Sequence, residues 1–187
     1  MGRQDEIIAE RIKKLEQLRK DGIDPYPQIF EKKDNAVHLQ AEYKKLKNDE
    51  KSKYKAKIAG RITSFRDIGK IAFGVLQDGS GKIQIVVQEK ETPQKIREFV
   101  KKYVDIGDFV GVEGIVFRTQ RGELSILVKN LELLTKSILP LPDKWHGLED
   151  KEERYRKRYV DLIMSPEVKQ VFIVREKIVD VLRTLLK

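Results

Sequence analysis

Between Lys57 and Lys136 the chain passes through five strand-like runs bounded by glycine-containing turns, with one helix-like insert between the third run and the fourth. No other stretch constrains the fold as tightly, because that count and order predict a small closed β-barrel. The first run, Ile58 to Arg66, leads through a turn at Gly69 into the second, Ile71 to Gln77. Asp78-Gly79-Ser80-Gly81 then turns the chain into the third, Lys82 to Gln88. There Ile83, Ile85 and Val87 alternate with Lys82, Gln84 and Val86, which sends the first set to the core and Gln84 outward. In the fourth run, Asp108 to Thr119, Gly111 and Gly114 mark a bulge or a tight corner of the barrel. Gln120-Arg121-Gly122 reverses the chain, and the fifth run, Glu123 to Leu134, carries Leu124, Ile126 and Val128 on one face.

The insert, Pro93 to Tyr103, places Ile96, Phe99, Val100 and Tyr103 at helical spacing, so that the helix plugs one end of the barrel. This is the strand and helix order of the OB-fold, a binder of single-stranded nucleic acids or oligosaccharides. The expected class is mainly β with flanking helices. Residues 1–56 are read as an N-terminal helical extension, 57–136 as the five-stranded barrel, 137–164 as a connector and 165–187 as a last helix.

Composition narrows the functions open to such a chain. With 37% charged against 40% hydrophobic residues, its 187 residues are polar but able to bury a core in one or two compact units. No apolar run approaches the ~18 residues of a membrane span, and the N-terminus lacks the apolar centre of a signal peptide. There is no cysteine, so neither disulfide nor thiol chemistry is available, and His38 and His146 cannot build a zinc site by themselves. A cytoplasmic protein with no membrane partner is expected. The net charge of +9 is spread along the chain, which favours attraction to a phosphate backbone in general. The same charge also describes an ordinary solvated Lys/Glu surface.

The flanks read as helices. Residues 4–20 form one, with Ile8, Ile12, Leu15 and Leu18 as a narrow apolar stripe and Arg11, Lys13, Lys14, Arg19 and Lys20 over much of the remainder. Gly22 is placed to end it, and Pro25 and Pro27 prevent continuation. A short helix is expected around Leu39 to Leu46, then a polar linker from Lys47 to Lys55. After the barrel, Leu139-Pro140-Leu141-Pro142 begins the connector, in which Tyr155, Tyr159, Leu162 and Ile163 share one helical side. Ser165-Pro166 caps the last helix, whose wide apolar face of Val171, Val174, Ile178, Val181 and Leu185 calls for a partner.

Base recognition on an OB-fold needs a π surface for stacking, donors and acceptors for a base edge, and cations for phosphates. Phe73, Gln84 and Glu123 supply the first two kinds, and Arg61 and Arg66 the third. Singly, each has a plainer reading: Phe73 as core, Gln84 as solvated, Glu123 as a turn residue. Periodicity leaves the facing of Phe73 open, since Ile71, Phe73 and Val75 compete with Ala72, Gly74 and Leu76 for the interior. Catalytic motifs are absent. Ser64 to Lys70 resembles the end of a phosphate-binding loop, but Ser64 stands where a glycine is needed and Ile71 where a Ser or Thr is needed.

Three blocks together carry a family resemblance: KLEQLRKDGIDPYP near the start, AGRI…GK…F…LQDGSGKIQ in the barrel, and the connector LPLPDKWHGLEDKEERYRKRYVDLI. They are similar to the N-terminal part of bacterial-type class II lysyl-tRNA synthetases, and the likeness covers essentially the whole chain. Aspartyl- and asparaginyl-tRNA synthetases share the barrel and the KIQ-like third strand but are less similar in the connector. In this family the barrel binds the anticodon of tRNA(Lys). The resemblance implies that Phe73, turned outward, stacks the central uridine. It implies that Gln84 and Glu123 read the uridine's edge and that Arg66 lies near the anticodon, with Arg61 a weaker correspondence. It also implies that 165–187 is the motif 1 helix of a class II catalytic domain whose other motifs are missing here. This chain alone is then expected to need no cofactor and not to aminoacylate, whereas the complete enzyme uses ATP and Mg2+ and dimerises through its catalytic domain. The alternatives are a free-standing OB-fold RNA-binding module and part of an aspartyl- or asparaginyl-type synthetase.

Overall fold

The structure, a computed structural model, describes residues 2–142 and 150–186. The chain divides into two compact units, Met1–Pro140 and Leu141–Lys187. The first unit is built on five strands: β1 (Lys51–Asp67), β2 (Ile71–Gln77), β3 (Lys82–Gln88), β4 (Phe109–Arg118) and β5 (Leu124–Thr135). Each is antiparallel to its neighbour except β3 and β5, which run parallel, and the order β1-β2-β3-β5-β4 closes into a barrel. The barrel interior is filled by Ile58, Ile62, Leu76, Ile83, Ile85, Val112, Val116 and Ile126, each at most 2% exposed, and their buried neighbours. The expected inward set of β3 is therefore in place, as is that of β5.

β1 begins earlier than expected. Lys51 to Lys55, the end of the expected linker, is strand: Lys51 pairs with Phe117 and Lys55 with Ile115 on β4, and these pairings help to close the barrel. Charged residues can occupy this stretch because only one of its faces meets the core. A register shift between Ile62 and Ser64 then interrupts the strand, with Thr63 as the extra residue. Ala56, Ile58, Gly60 and Ile62 point inward before it, Phe65 packs inward after it, and Ser64 and Arg66 are turned outward. Gly114 lies at a second register shift, where a Cβ would collide with the Leu127 backbone. Gly111 serves a different purpose, because a side chain there would occupy the space of the Phe30 ring.

Three helices close the unit. α1 (Arg3–Lys20) packs beside α3 (Gln94–Tyr103), which joins β3 to β4, while α2 (Ala36–Glu42) lies against β3. α3 buries Val100 and Tyr103, with Ile96 and Phe99 half-buried beside them, as the spacing predicts. α2 starts before the expected span because Asn35 caps it, accepting a hydrogen bond from the His38 amide at 2.8 Å, and it buries Ala36 and Leu39. On α1 the packing face differs from the apolar stripe. Leu18 is fully buried, Ile12 is exposed, and Arg11 is 7% exposed, donating to the carbonyls of Ile106 (2.8 Å), Ser137 (3.2 Å) and Leu139 (3.2 Å). An arginine fills this place because its fork of donors meets three loop carbonyls at once.

A buried ionic group lies next to this contact. Lys136 Nζ donates to Asp108 (2.7 Å), Asp105 (2.5 Å) and the Tyr103 carbonyl (2.7 Å), and Lys14 on α1 reaches Asp105 at 2.7 Å. Burial would raise the pKa of Asp105, but the hydrogen bonds from Lys136 and Lys14 outweigh it and hold the carboxyl below its ordinary value.

The second unit holds α4 (Lys151–Arg156), α5 (Arg158–Met164) and α6 (Pro166–Leu185). The part of the connector from 143 to 149 lies outside the described residues. Tyr155 and Tyr159 do not form a packed helical side with Leu162 and Ile163: the helix breaks at Lys157, and both tyrosines are exposed. The anchor is instead Asp161, buried between Arg154 Nε (3.1 Å) and Arg158 Nη1 (2.6 Å). Ser165 occupies the predicted N-cap position of α6, but its hydroxyl turns back to Asp161 at 3.3 Å and does not cap the helix. α6 has no buried residue, and its apolar column from Val171 to Leu185 is exposed.

Candidate nucleic-acid interface

The outer face of the barrel collects most of the predicted site residues. On β2 the interior takes Ala72, Gly74 and Leu76, leaving Ile71, Phe73 and Val75 outside. The larger side chains are excluded because there is no room at Gly74, where a Cβ would meet Phe65 Cδ2 at 3.1 Å and Ile85 Cγ1 at 3.0 Å. Phe73 is thus partly exposed and outside the core cluster.

Strand register sets the neighbours of Phe73. Arg66 on β1 and Val86 on β3 are its direct cross-strand partners, and paired residues share a face. Gln84 pairs with Val75, one step along β2, so it sits diagonally to Phe73 at ~7–8 Å between backbone positions. Ser125 on β5 pairs with Gln84, and Glu123 lies two residues before Ser125 on the same face. Arg66, Phe73 and Gln84 therefore form one oblique line across three strands, with Glu123 at its end in the β4–β5 turn. Val86 and Leu127, each 1% exposed, lie beside that line yet outside the interior cluster, and so form an apolar floor on the outer face.

The polar groups on this line are held to different degrees. Gln84 Nε2 donates to Ser125 Oγ at 2.8 Å, and that hydroxyl donates to the Glu123 carbonyl at 3.2 Å. This fixes the amide plane and leaves Gln84 Oε1 without a partner among the described residues. The Glu123 backbone is pinned by Thr119, whose amide donates to the Glu123 carbonyl (2.9 Å) and whose hydroxyl accepts from the Glu123 amide (3.1 Å). Glu123 ends the β4–β5 turn and does not start β5, and its exposed carboxylate makes no ion pair among the described residues. Arg66 is likewise exposed and unpaired among them. A ring, a fixed acceptor, a free carboxylate and a free guanidinium on one face can stack a base, read donors on its edge and meet a phosphate.

Arg61 is not brought to this group. It faces Gln77, four residues along β2 from Phe73, or ~13 Å of strand. Its Nη1 donates to the Gly107 carbonyl at 2.9 Å and its guanidinium lies 4.2 Å from the centre of the Phe109 ring. Burial pulls its pKa down, with Asp108 acting in the opposite sense. Ser125 was missed in the sequence, although the alternation that sends Leu124, Ile126 and Val128 inward already turned it out. Arg11, grouped in the sequence with the solvated cations, is a docking residue.

Residues 56–134 match the tRNA anticodon family of OB-fold nucleic acid binding domains. The chain is 47% identical over 180 residues to the chloroplastic/mitochondrial lysine–tRNA ligase of Arabidopsis thaliana, covering 95% of this chain and 30% of that protein. It is 44% identical over 183 residues to the lysine–tRNA ligase of Moorella thermoacetica, covering 98% and 36%. With that of Carboxydothermus hydrogenoformans it shares 44% identity over 182 residues, covering 97% and 36%. The chain thus spans about a third of the length of the curated relatives it matches.

Proposed function

We propose, from the match of residues 56–134 to OB-fold nucleic acid binding domains and of nearly the whole chain to lysine–tRNA ligases, that this chain binds the anticodon loop of tRNA(Lys). The observation that carries the proposal is the oblique line on the outer face, where Phe73 stands uncovered beside a hydrogen-bonded Gln84 and an unpaired Glu123. In this reading the central base stacks on Phe73. The Glu123 carboxylate accepts from the single ring N–H of its edge, the second Nε2 hydrogen of Gln84 donates to a neighbouring carbonyl of the base, and Arg66 meets a phosphate.

A uracil ring offers one N–H donor between two carbonyl oxygens. The unpartnered Glu123 carboxylate on this face suits that N–H, whereas cytosine presents an acceptor at the same ring position. The docked α1 adds lysines beside the barrel for backbone contacts. As part of a lysine–tRNA ligase, the chain contributes recognition, while ATP and Mg2+ serve the complete enzyme, which acts as a cytoplasmic homodimer joined through its catalytic domain. The described residues contain no group of three or more His, Cys, Asp or Glu suited to a cation. Among the same residues no helix is long and apolar enough to cross a membrane.

The test compares affinity for a lysine anticodon stem-loop with affinity for the same loop carrying cytidine at its central position, at one moderate salt concentration. Preference for uridine that disappears in Phe73→Ala is the expected result. Equal affinity for both loops would reduce the barrel to an unselective electrostatic binder.

A further inference from the structure

Phe117 lies on the same outer face as the proposed site. Its cross-strand partner on β5 is Ser125, the residue that holds Gln84, and its partner on β1 is Lys51. One row therefore runs Val75, Gln84, Ser125, Phe117, Lys51 across five strand positions. Like Phe73, Phe117 is partly exposed and outside the core cluster, whereas the smaller side chains between the two rings, Val86, Leu127 and Ser125, are buried. The face thus carries two aromatic rings at its margins and a low apolar floor between them.

Cations border the second ring. Lys51 Nζ lies 2.6 Å from Glu91 Oε1, and Lys129 Nζ lies 3.0 Å from Glu91 Oε2, so two ammonium groups share one carboxylate and leave an excess positive charge there. Lys53, exposed on the same stretch of β1, makes no ion pair among the described residues. Phe73 and Phe117 are three strand steps apart, or ~14 Å along the sheet. Stacked bases in a strand rise only ~3.4 Å each, so the two rings cannot hold the same base or immediate stacking partners.

We infer that Phe117 is a second stacking surface, taking a base of the loop other than the one on Phe73, with Lys51, its β1 neighbour, supplying charge to the backbone on its far side. The inference rests on the proposal that this face binds a single-stranded RNA loop. It makes the barrel a reader of a splayed loop held at two points.

The experiment measures the affinity of the wild-type chain, Phe117→Leu and Phe73→Ala for the lysine anticodon stem-loop and for a set of loops with one abasic nucleotide at each loop position. Phe117→Leu keeps apolar volume and removes the π ring, and thermal unfolding checks that the fold is retained. The expected result is a roughly 5- to 140-fold loss for Phe117→Leu on the intact loop, the effect of one base–aromatic stack. That loss should vanish for one abasic position that is not the central one. The loss in Phe73→Ala should vanish only for the central position. Coupling of Phe73 to the central base, with no loss at Phe117 or an equal loss for every loop, would overturn the second platform and leave anticodon binding standing. Absence of coupling at Phe73 would remove the anticodon reading and this inference with it.

Discussion

Two arginine–phenylalanine pairs lie across β1, and they have opposite fates. Arg61 faces Phe109 on one side of the strand, and Arg66 faces Phe73 on the other. The first pair is closed: the guanidinium lies over the ring and donates to Gly107, so its hydrogen-bonding capacity is spent inside the protein. The second is open, with an exposed guanidinium and a ring that has no aromatic or cationic partner among the described residues. The same two residue types, in the same cross-strand relation, form a clamp in one place and an open surface in the other. What separates them is the neighbouring backbone. Gly107 has φ +105, and its carbonyl accepts the clamp, while no loop approaches Arg66 in the same way among the described residues.

The sharpest way to break the comparison is to delete Thr63. This removes the extra residue of the bulge and leaves Ile62 opposite Leu76 and Ser64 opposite Val75, so Arg66 should keep its place beside Phe73. The expected cost is roughly 0.5–3 kcal/mol in denaturant unfolding, the range of most single changes, with affinity for the anticodon loop retained. A deletion variant that folds yet loses affinity for the loop would show that the bulge itself, beyond the pairing it leaves, sets the outward turn of Arg66.

Smaller changes separate the pairs. Phe73→Ala should lose ~1–3 kcal/mol of affinity for the anticodon loop while its unfolding midpoint stays close to wild type. Arg61→Met should do the reverse, losing ~1–2 kcal/mol of stability with affinity for the loop retained, because a charge-assisted hydrogen bond and a cation–π contact are lost. If Arg61→Met weakened RNA binding and left stability alone, the clamp assignment would be wrong. Arg66→Met should leave stability within ~0.5 kcal/mol and lower the slope of log affinity against log salt by ~0.7, the share of one phosphate contact on a single strand.

The mildest test uses pH. Asp105 lies in the same β4-entry loop as Gly107, and its pKa is depressed in the folded state. A depressed carboxylate contributes stability that is present above its unfolded pKa of ~3.9 and lost as pH falls through the lower folded value. Acid unfolding of Asp105→Asn should therefore be shallower than wild type below pH ~4 and differ little in slope near neutrality.

The α1 and α6 helices extend the lesson. Both show an apolar stripe in sequence, yet α1 docks largely through Arg11 and Leu18, and α6 buries no residue. Amphipathicity told that each helix has a face, but which residues meet a partner depended on carbonyls contributed by distant strands.

Much of the barrel was legible in the sequence by itself. Alternation located β2 and β3 to the residue and the inward sets of β3 and β5, helical spacing located α3, and residue type singled out Phe73, Gln84, Glu123 and Arg66, because these patterns are local. The tertiary structure decided everything that rests on register. Phe73 lies outside because Phe65 and Ile85 fill the space over Gly74. Arg66 stands beside Phe73 because of one bulge at Thr63, Gln84 is fixed by Ser125 from a strand 41 positions away, and Arg61 is withdrawn by a loop carbonyl. These outcomes depend on which strands pair and how far they are shifted, and a shift of one residue reverses the facing of every side chain beyond it.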